Sequence, residues 1–482
     1  MEPTKLWIND EWLDADQSVP LYNPHTEEQI AEIGYASATQ AELAIAAAAR
    51  AFAVNRNKPA YERAAVLSRV ADLFRERHEE AAQLVAKEAA KPIRAARGEI
   101  DRTIETYQLS AEAAKNVYGQ VIPMDAVPGG EKNTAYTARE PLGVVAAITP
   151  FNFPMNLVAH KVGPAIAAGN TIVLKPAEKT PLSALFLAEL FREAGLPAGV
   201  LNIIPGYGEE LSEILTTHEQ VAFITFTGSP RVGKLIRSQA GLRRVTLELG
   251  SNSPLLIDEG FSDQELDRIA DQAITGAFSY NGQICISIQR IYVHENVYDD
   301  FIDRMAIKAQ QLKIGDPLEE DTDICSLITH EAAERLKTWL EQAIQGGSKI
   351  RSGGIFINHV MHPTILTNVP LDAELNRDEA FGPIVTISPF KSWSEAIDLA
   401  NDSQFGLNAG AFTKDIQRAF AAAKGIKSGA VLINQIPTFR VDQMPYGGVK
   451  NSGSGREGVR YAMEDMMETK LVSFRTGVYD EE

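Results

Sequence analysis

Cys285 is one of only two cysteines in the chain, and its position could support nucleophilic chemistry. It lies in FSYNGQICISIQR (residues 278–290), after a helix-like segment and a glycine-containing turn and before a β-branched run. A side chain at such a turn can face a cleft and act as a thiolate nucleophile, although a lone cysteine is more often an inert core residue. Cys325, in DTDICSLIT, has no comparable setting and is interpreted as a core residue.

Glu248 interrupts an otherwise apolar segment, VTLELGSNSP (residues 245–254), that predicts a buried strand. A carboxylate in a buried strand is unfavourable unless it is paired or used in chemistry. Burial would raise its pKa toward the range of a general base. The alternative is an ion pair with Arg243 or Arg244 on the same segment.

Asn152 lies between two aromatic residues and two prolines in ITPFNFPMN (residues 148–156), beyond a predicted strand. A stiff loop of this kind can hold a carboxamide N–H toward a developing oxyanion. Without that context, the segment is simply an aromatic and proline-rich turn.

The segment FTGSPRVGK (residues 226–234) follows a predicted buried strand and opens a helix. In that context Ser229 and the backbone N–H groups of the turn could meet a pyrophosphate. The spacing of Gly228 and Gly233 matches neither the common dinucleotide motif nor a Walker A loop, so a structural turn is the alternative.

Lys175 and Glu178 follow another predicted strand, in LKPAEKTP (residues 174–181). Open α/β sheets bind ligands at the carboxyl ends of their strands. A carboxylate there can accept hydrogen bonds from ribose hydroxyls and would repel a 2′-phosphate, which favours NAD over NADP. The alternative is that Glu178 is only a charge at the start of a helix.

The elements that must position these side chains are predicted to form an α/β protein. The first hundred residues are expected to be mostly helical, with Thr39 as the N-cap of the first helix, and glycines and prolines indicate a β-arm at 118–139. Beyond it, strand-like and helix-like segments alternate in two series with no linker between them, which is typical of parallel sheets covered by helices and meeting at a ligand cleft. The predicted helices are 39–54, 61–90, 93–116, 156–168, 180–194, 207–216, 263–278, 296–311, 330–344 and 393–400, and the predicted strands are 143–148, 171–174, 200–204, 222–226, 253–257, 288–293, 383–388, 409–413 and 430–433.

The composition limits the partners of the protein. Acidic residues outnumber basic residues by 64 to 46, and the net charge of −18 argues against nucleic-acid or anionic-membrane binding. No apolar run reaches the ~18 residues that span a bilayer, and no signal peptide is visible. Two cysteines exclude a disulfide framework and multi-cysteine metal centres, and no metal site is predicted. We therefore expect a cytoplasmic protein.

Together, these segments resemble the aldehyde dehydrogenase superfamily over essentially the whole chain. The motifs PFNFP, KPAEKTPLSA, FTGSPRVGK, LELGSNSP, GQICISIQR, DEAFGPIV, FGLNAGAF and PYGGVKNSGSGREG occur in the family's order. The resemblance implies an α/β fold with three parts and a homodimer or homotetramer. The parts are a Rossmann-like NAD-binding domain (1–117 and 140–250), an α/β catalytic domain (251–450) and an oligomerisation β-arm (118–139 and 467–482).

The resemblance also implies the roles of individual residues. Cys285 would be the nucleophile, Glu248 the general base, and Asn152 the oxyanion donor beside the backbone N–H of Cys285. Lys161 and Glu457 match positions that relay the proton away from the base. NAD, or NADP, would be held by Thr149, Pro150, Phe151, Lys175, Glu178, Gly208, Phe226, Thr227, Gly228, Ser229, Val232, Leu249, Glu379 and Phe381.

Within the superfamily, CISIQR and residues 438–466 look like NAD-dependent lactaldehyde dehydrogenases. This implies oxidation of a small hydroxyaldehyde to a carboxylic acid through a cysteine thiohemiacetal and a thioester. One alternative is a non-phosphorylating glyceraldehyde-3-phosphate dehydrogenase, with Arg102 and Arg440 as candidate phosphate anchors, although Ile284 stands where that enzyme has arginine. Another is a broad-range aliphatic or aromatic aldehyde dehydrogenase. Retention of Glu248 argues against acyl transfer to coenzyme A.

Overall fold

A computed structural model describes residues 1–475 of the chain. Residues 476–482, the end of the predicted arm segment 467–482, lie outside the described residues. The described helices are α1 (Ala38–Asn55), α2 (Ala60–Glu76), α3 (His78–Ala89), α4 (Ile93–Ala114), α5 (Asn156–Ala168), α6 (Pro181–Glu193), α7 (Gly208–Thr217), α8 (Pro230–Gln239), α9 (Asp263–Phe278), α10 (Tyr298–Gln310), α11 (His330–Gln345), α12 (Glu374–Arg377), α13 (Trp393–Asn401), α14 (Ile416–Gly425) and α15 (Val459–Asp465).

The strands alternate with these helices, and the predicted α/β class is confirmed. The described strands are β1 (Leu6–Ile8), β2 (Glu11–Leu13), β3 (Gln17–Tyr22), β4 (Gln29–Tyr35), β5 (Val121–Ile122), β6 (Asn133–Pro141), β7 (Val144–Ile148), β8 (Thr171–Lys175), β9 (Leu201–Ile203), β10 (Val221–Thr227), β11 (Arg244–Glu248), β12 (Ser253–Ile257), β13 (Ile288–His294), β14 (Lys349–Ser352), β15 (Phe356–Ile357), β16 (Val360–Met361), β17 (Thr364–Thr367), β18 (Ile384–Phe390), β19 (Asn408–Phe412), β20 (Ala430–Ile433), β21 (Gly453–Ser454) and β22 (Met467–Arg475).

The first large sheet has the order β2-β1-β9-β8-β7-β10-β11-β21. Its five central strands, β9, β8, β7, β10 and β11, are parallel. The strands that flank them, β1 and β21, run antiparallel to them, and β2 pairs antiparallel with β1 at the edge. Side chains alternate across the sheet: Val145 and Ala147 pack into one apolar core, while Val144, Ala146 and Ile148 pack into another. Strands that are buried on both faces are typical of a parallel sheet covered by helices on both sides.

The second large sheet has the order β14-β17-β18-β13-β12-β19-β20. All neighbours in it are parallel except the edge pair β14 and β17. Residues 249–252 connect β11 of the first sheet directly to β12 of the second. The carboxyl end of β11 therefore lies at the junction between the two sheets.

The predicted arm forms a separate sheet of three strands, in the order β22-β6-β5. Strands β6 and β22 pair from Asn133 opposite Arg475 to Pro141 opposite Met467, so the arm joins residues 121–141 to the C-terminal strand. Among residues 1–475, no helix is both long enough and apolar enough to cross a bilayer.

Several predictions about the N-terminal region were wrong. Residues 6–35, where the sequence predicts no individual element, form four short strands, and Ser37, not Thr39, caps α1 through a capping box with Gln40. The single helix predicted over 61–90 is two helices, because Arg77 leaves helical geometry (φ −110°, ψ 27°) between α2 and α3. The apolar periodicity continues across this break, so it did not reveal the change of direction.

Candidate active site at the junction of the two sheets

The candidate nucleophile Cys285 lies in a tightly constrained loop between α9 and β13. Tyr280, Asn281 and Gly282 have positive φ angles of 47°, 56° and 68°. A Cβ on Gly282 would lie 2.2 Å from the carbonyl oxygen of Gly382, so only glycine allows this close approach. The loop therefore holds the partly exposed thiol of Cys285 in one place.

The Sγ atom of Cys285 lies 2.8 Å from the hydroxyl of Tyr446. Burial raises the pKa of the Cys285 thiol to about 12, against the opposing effects of the Tyr446 hydrogen bond and the charge of Arg440. The guanidinium of Arg440 lies 3.7 Å from the centre of the Tyr446 ring. The charges of Glu379 and Glu248 also raise this pKa, so the resting thiol is neutral, and Tyr446 and Arg440 are the groups that favour its ionisation.

Asn152 is buried and its amide lies against the loop of Cys285. Its Nδ2 donates one hydrogen bond to the carbonyl of Gln283 (2.9 Å), and a carboxamide has a second N–H. Its backbone carbonyl accepts from Lys91 Nζ (2.6 Å). Lys91 also forms a fully buried ion pair with Glu99, so this pair holds the backbone of Asn152 in place.

Glu248 ends β11 at the junction of the sheets, and its side chain is buried. Both of its carboxylate oxygens are buried without a hydrogen-bond partner among the described residues. Burial, reinforced by the charge of Glu457, raises the pKa of Glu248 well above its usual value. The alternative of an ion pair was wrong, because Arg243 donates to backbone carbonyls and Arg244 pairs with Glu468.

Lys161 and Glu457 form a second buried pair near Glu248. Lys161 Nζ lies 2.8 Å from Glu457 Oε1 and donates to the Thr227 hydroxyl at 2.7 Å. Burial alone would raise the pKa of Glu457, but the charges of Lys161 and Arg440 outweigh it and hold that pKa below its usual value. Two neighbouring carboxyls thus have pKa values displaced in opposite directions, which is typical of groups with different proton-transfer roles.

Glu178 and Lys175 lie together at the carboxyl end of β8. The side chains are 3.8 Å apart, and the Glu178 carboxylate accepts the backbone N–H of Gly208 at 2.7 Å. Burial lowers the pKa of Lys175, partly offset by the charge of Glu178. The carboxylate of Glu178 is thus oriented by the start of α7 while its side chain stays 41% exposed, which leaves it free to accept ribose hydroxyls.

The turn after β10 brings the predicted pyrophosphate segment next to Glu248. Ser229 caps α8 by accepting the N–H of Val232, and the N–H of Gly228 donates to the backbone carbonyl of Glu248 (3.0 Å). A Cβ on Gly233 would lie 2.5 Å from the Leu249 side chain, so this glycine permits close packing of the helix.

Glu379 and Phe381 lie against the connection between the two sheets. The carboxylate of Glu379 accepts the N–H of Ser251 (2.9 Å), and a Cβ on Gly250 would lie 2.4 Å from it. Burial raises the pKa of Glu379 to about 7, although the Ser251 hydrogen bond opposes this. Phe381, with φ 49°, packs edge-on against Phe151 at 5.8 Å.

The remaining predicted cofactor residues lie on the strands and loops around the same cleft. Thr149 follows β7 and its N–H donates to the carbonyl of Lys175 (3.2 Å). Pro150 lies between Thr149 and Phe151, and Phe226 and Thr227 end β10. The carboxyl ends of these strands, with the half-exposed carboxylate of Glu178 beyond one of them, fit a dinucleotide.

Three neighbours of the site were not predicted to act there. Tyr446 is inside a quoted motif, but no spacing signal connects it with Cys285. Lys91 lies in the short link between α3 and α4, which contains no motif. Arg440 was considered only as a phosphate anchor, and one of its nitrogens pairs with Glu457 (3.3 Å), while Arg102 pairs with Asp442 (2.6 Å).

Comparisons with known proteins agree over nearly the whole chain. The sequence model described as the aldehyde dehydrogenase family matches residues 12–472. The chain is 46% identical to a 3-sulfolactaldehyde dehydrogenase of Priestia megaterium, covering 97% of both proteins. It is 40% identical to a lactaldehyde dehydrogenase of Methanocaldococcus jannaschii, covering 97% of this chain and 99% of that protein.

Solved structures give the same match. Aldehyde dehydrogenase 21 from Physcomitrella patens, in complex with the reaction product succinate, superimposes with a TM-score of 0.96 at 38% identity over 99% of both chains. The glyceraldehyde-3-phosphate dehydrogenase GapN of Methanocaldococcus jannaschii, complexed with NADP, has a TM-score of 0.91 at 39% identity, covering 96% of this chain and 100% of that one. The matched region includes both large sheets and the arm.

Proposed function

The chain belongs to the aldehyde dehydrogenase family and is an oxidoreductase acting on aldehydes, and we propose that it oxidises a small hydroxyaldehyde with NAD through the thiol of Cys285. One observation carries this proposal. The thiol of Cys285, the amide of Asn152 and the unpartnered carboxyl of Glu248 are gathered around a single junction of the two sheets.

The first half-reaction uses Cys285 and Asn152. The thiol loses its proton and its sulfur attacks the carbonyl carbon, forming a thiohemiacetal. The second N–H of Asn152, with the backbone N–H of Cys285, stabilises the oxygen that becomes negative. A nicotinamide held near Glu379 and Phe381 would supply the hydride acceptor, and loss of hydride from the substrate carbon leaves a thioester on Cys285.

The second half-reaction uses Glu248. Its ionised carboxylate takes one proton from water, whose oxygen attacks the thioester and releases the carboxylic acid and the thiolate of Cys285. The raised pKa of Glu248 makes it a stronger base than an exposed carboxylate. The pair of Lys161 and Glu457 is proposed to pass this proton onward, since their buried polar atoms adjoin Glu248.

The preference for NAD is assigned to Glu178. Its carboxylate is held by the N–H of Gly208 and is half-exposed, so it can accept both ribose hydroxyls but repels a 2′-phosphate. Replacing Glu178 with glutamine removes this charge. We expect kcat/KM with NADP to rise relative to NAD; an unchanged ratio would refute the assignment.

A second candidate substrate class is a hydroxyaldehyde with an anionic end, such as 3-sulfolactaldehyde or glyceraldehyde 3-phosphate. Arg440 favours it, because its Nε is buried without a partner in the described structure and its guanidinium lies over Tyr446, which touches Cys285. Ile284 beside the nucleophile supplies no second cation, which disfavours a doubly charged phosphate relative to a sulfonate.

One absorbance screen of NADH formation tests these proposals. The aldehydes are lactaldehyde, 3-sulfolactaldehyde, glyceraldehyde 3-phosphate, hexanal and benzaldehyde, each with NAD and NADP. We expect one of the three hydroxyaldehydes to give the highest kcat/KM. If an anionic one does, Arg440→Met should reduce its kcat/KM far more than that of lactaldehyde. Highest kcat/KM for hexanal or benzaldehyde would refute the proposed substrate class.

We also propose that the arm forms a homo-oligomer. Tyr136, Leu471 and Phe474 project exposed apolar side chains from the paired strands β6 and β22. Apolar surface of this kind marks protein–protein contact sites. Light scattering should give a dimer or tetramer, and Leu471→Glu with Phe474→Glu should shift it toward smaller species; a monomeric wild-type protein would refute this proposal.

A further inference from the structure

Two histidines and a glutamate from distant parts of the chain meet beside the cleft, outside the family motifs. Glu27 lies in the turn between β3 and β4, His330 is the first residue of α11, and His359 lies in the turn between β15 and β16. One ring nitrogen of each histidine and one carboxylate oxygen of Glu27 lie within 4.8 Å of one another. The three side chains thus converge on one point.

His359 is the most constrained member of this cluster. Its side chain is 5% exposed, and its Nε2 hydrogen-bonds to the backbone carbonyl of Pro24. A carbonyl only accepts, so Nε2 carries the proton and Nδ1 has a free lone pair. That Nδ1 is buried without a hydrogen-bond partner in the described structure, and it faces the carboxylate oxygen of Glu27 at 3.6 Å. Two acceptors that face each other in this way are brought together by a cation, which is either a proton on Nδ1 or a metal ion.

The distances fit a metal ion. His330 Nε2 lies 2.8 Å from the same Glu27 oxygen, and the rings of the two histidines are 4.3 Å apart. Ligand atoms about 2.1 Å from a tetrahedral ion are about 3.4 Å from one another, and the observed separations of 2.8 and 3.6 Å lie on either side of this value. A backbone carbonyl that fixes the histidine tautomer, as Pro24 does here, is typical of a metal-binding imidazole.

We propose that Glu27, His330 and His359 bind a divalent transition-metal ion, with zinc matching this donor set best. The cluster lines a cavity of about 550 Å³ that also includes Glu178 and Tyr207. The ion connects the N-terminal β3–β4 hairpin to α11 and the β15–β16 hairpin. Its role is therefore structural, beside the cavity that Glu178 also lines.

Zinc binding is measured in the full-length chain carrying Cys285→Ser, which removes a competing thiol. After equilibrium dialysis against micromolar zinc, elemental analysis should find one zinc per chain. His330→Ala or Glu27→Gln in that background should weaken binding at least tenfold. His78→Ala is the matched control, because His78 lies on α3 and pairs with Asp101 instead (2.9 Å); it should bind zinc like the parent.

A second readout separates a specific site from surface binding. Zinc should raise the Tm of the parent and of His78→Ala, because an ion that binds only the folded chain stabilises it, and should not raise the Tm of His330→Ala. The proposal is overturned if no zinc is retained, if His330→Ala and Glu27→Gln bind zinc as tightly as His78→Ala, or if zinc leaves the Tm of the parent unchanged.

Discussion

Replacing Asn152 with alanine should reduce kcat about 100- to 1000-fold, which is the usual effect of removing one oxyanion donor. The reason lies in how the two N–H groups of its amide are used. One N–H donates to the carbonyl of Gln283 at 2.9 Å, and we assign the other to the oxygen of the aldehyde. The loss should appear mainly in kcat, because the donor acts on charge that develops in the transition state.

The same substitution has a structural effect that can be calculated separately. The carbonyl of Gln283 loses its donor in a buried position, which lowers the free energy of unfolding by about 1–3 kcal/mol. The contact between Lys91 and the backbone carbonyl of residue 152 does not depend on the side chain and is retained. Most of the Asn152→Ala protein should therefore remain folded at the assay temperature.

Asn156→Ala is the matched control for this prediction. The amide of Asn156 is also buried, four residues along the chain, and donates to the hydroxyl of Thr106 at 3.1 Å. Loss of this amide should lower the free energy of unfolding, measured by urea denaturation, by a similar amount. It should leave kcat, measured by steady-state NADH formation, within about threefold of wild type. The reasoning fails if Asn152→Ala keeps kcat within threefold of wild type, or if both variants lose kcat equally.

Further predictions concern the base and the buried charges. Glu248→Gln should produce a burst of about one NADH per chain and then turn over about 100- to 10 000-fold more slowly, as seen by stopped-flow absorbance; an unchanged steady-state rate would remove Glu248 as the base. Because the pKa of Glu248 is raised and only its ionised form acts as a base, thioester hydrolysis should accelerate as pH rises through that pKa and slow as pH falls; a hydrolysis rate that increases toward acid would contradict this. Lys91→Met leaves Glu99 buried without its cation and should lower the free energy of unfolding, measured by urea denaturation, by about 3–5 kcal/mol. The control Lys424→Met, on the exposed face of α14, should change this free energy little.

The α/β class and most elements that flank the motifs could be predicted from sequence, because local periodicity determines them. Strands β7, β8, β12 and β20 lie within a residue of their predicted ranges. The N-terminal strands were not predicted, since three-residue strands such as β1 and β2 are too short to show a period. Their pairing depends on contacts with β9, far along the chain.

Some residues of the candidate site can likewise be identified from the sequence alone, and others only from the folded chain. Glu248 could be singled out because a carboxylate in an apolar strand is conspicuous in the sequence itself. Tyr446 could not, because its contact with Cys285 joins residues that only the folded chain brings together. The cluster of Glu27, His330 and His359 was also missed for this reason: its members come from three separate turns and helix ends, so no ligand spacing appears in the sequence.

In the proposed reaction the aldehyde carbon becomes bonded to the sulfur of Cys285. The most direct measurement is the intact mass of Glu248→Gln, quenched in acid after mixing with NAD and the aldehyde of highest kcat/KM. We predict a mass increase of one acyl group per chain, located by peptide mapping on Cys285 and absent from Cys285→Ser. No mass increase during the NADH burst, or an acyl group on Cys325 or any other residue, would contradict the account.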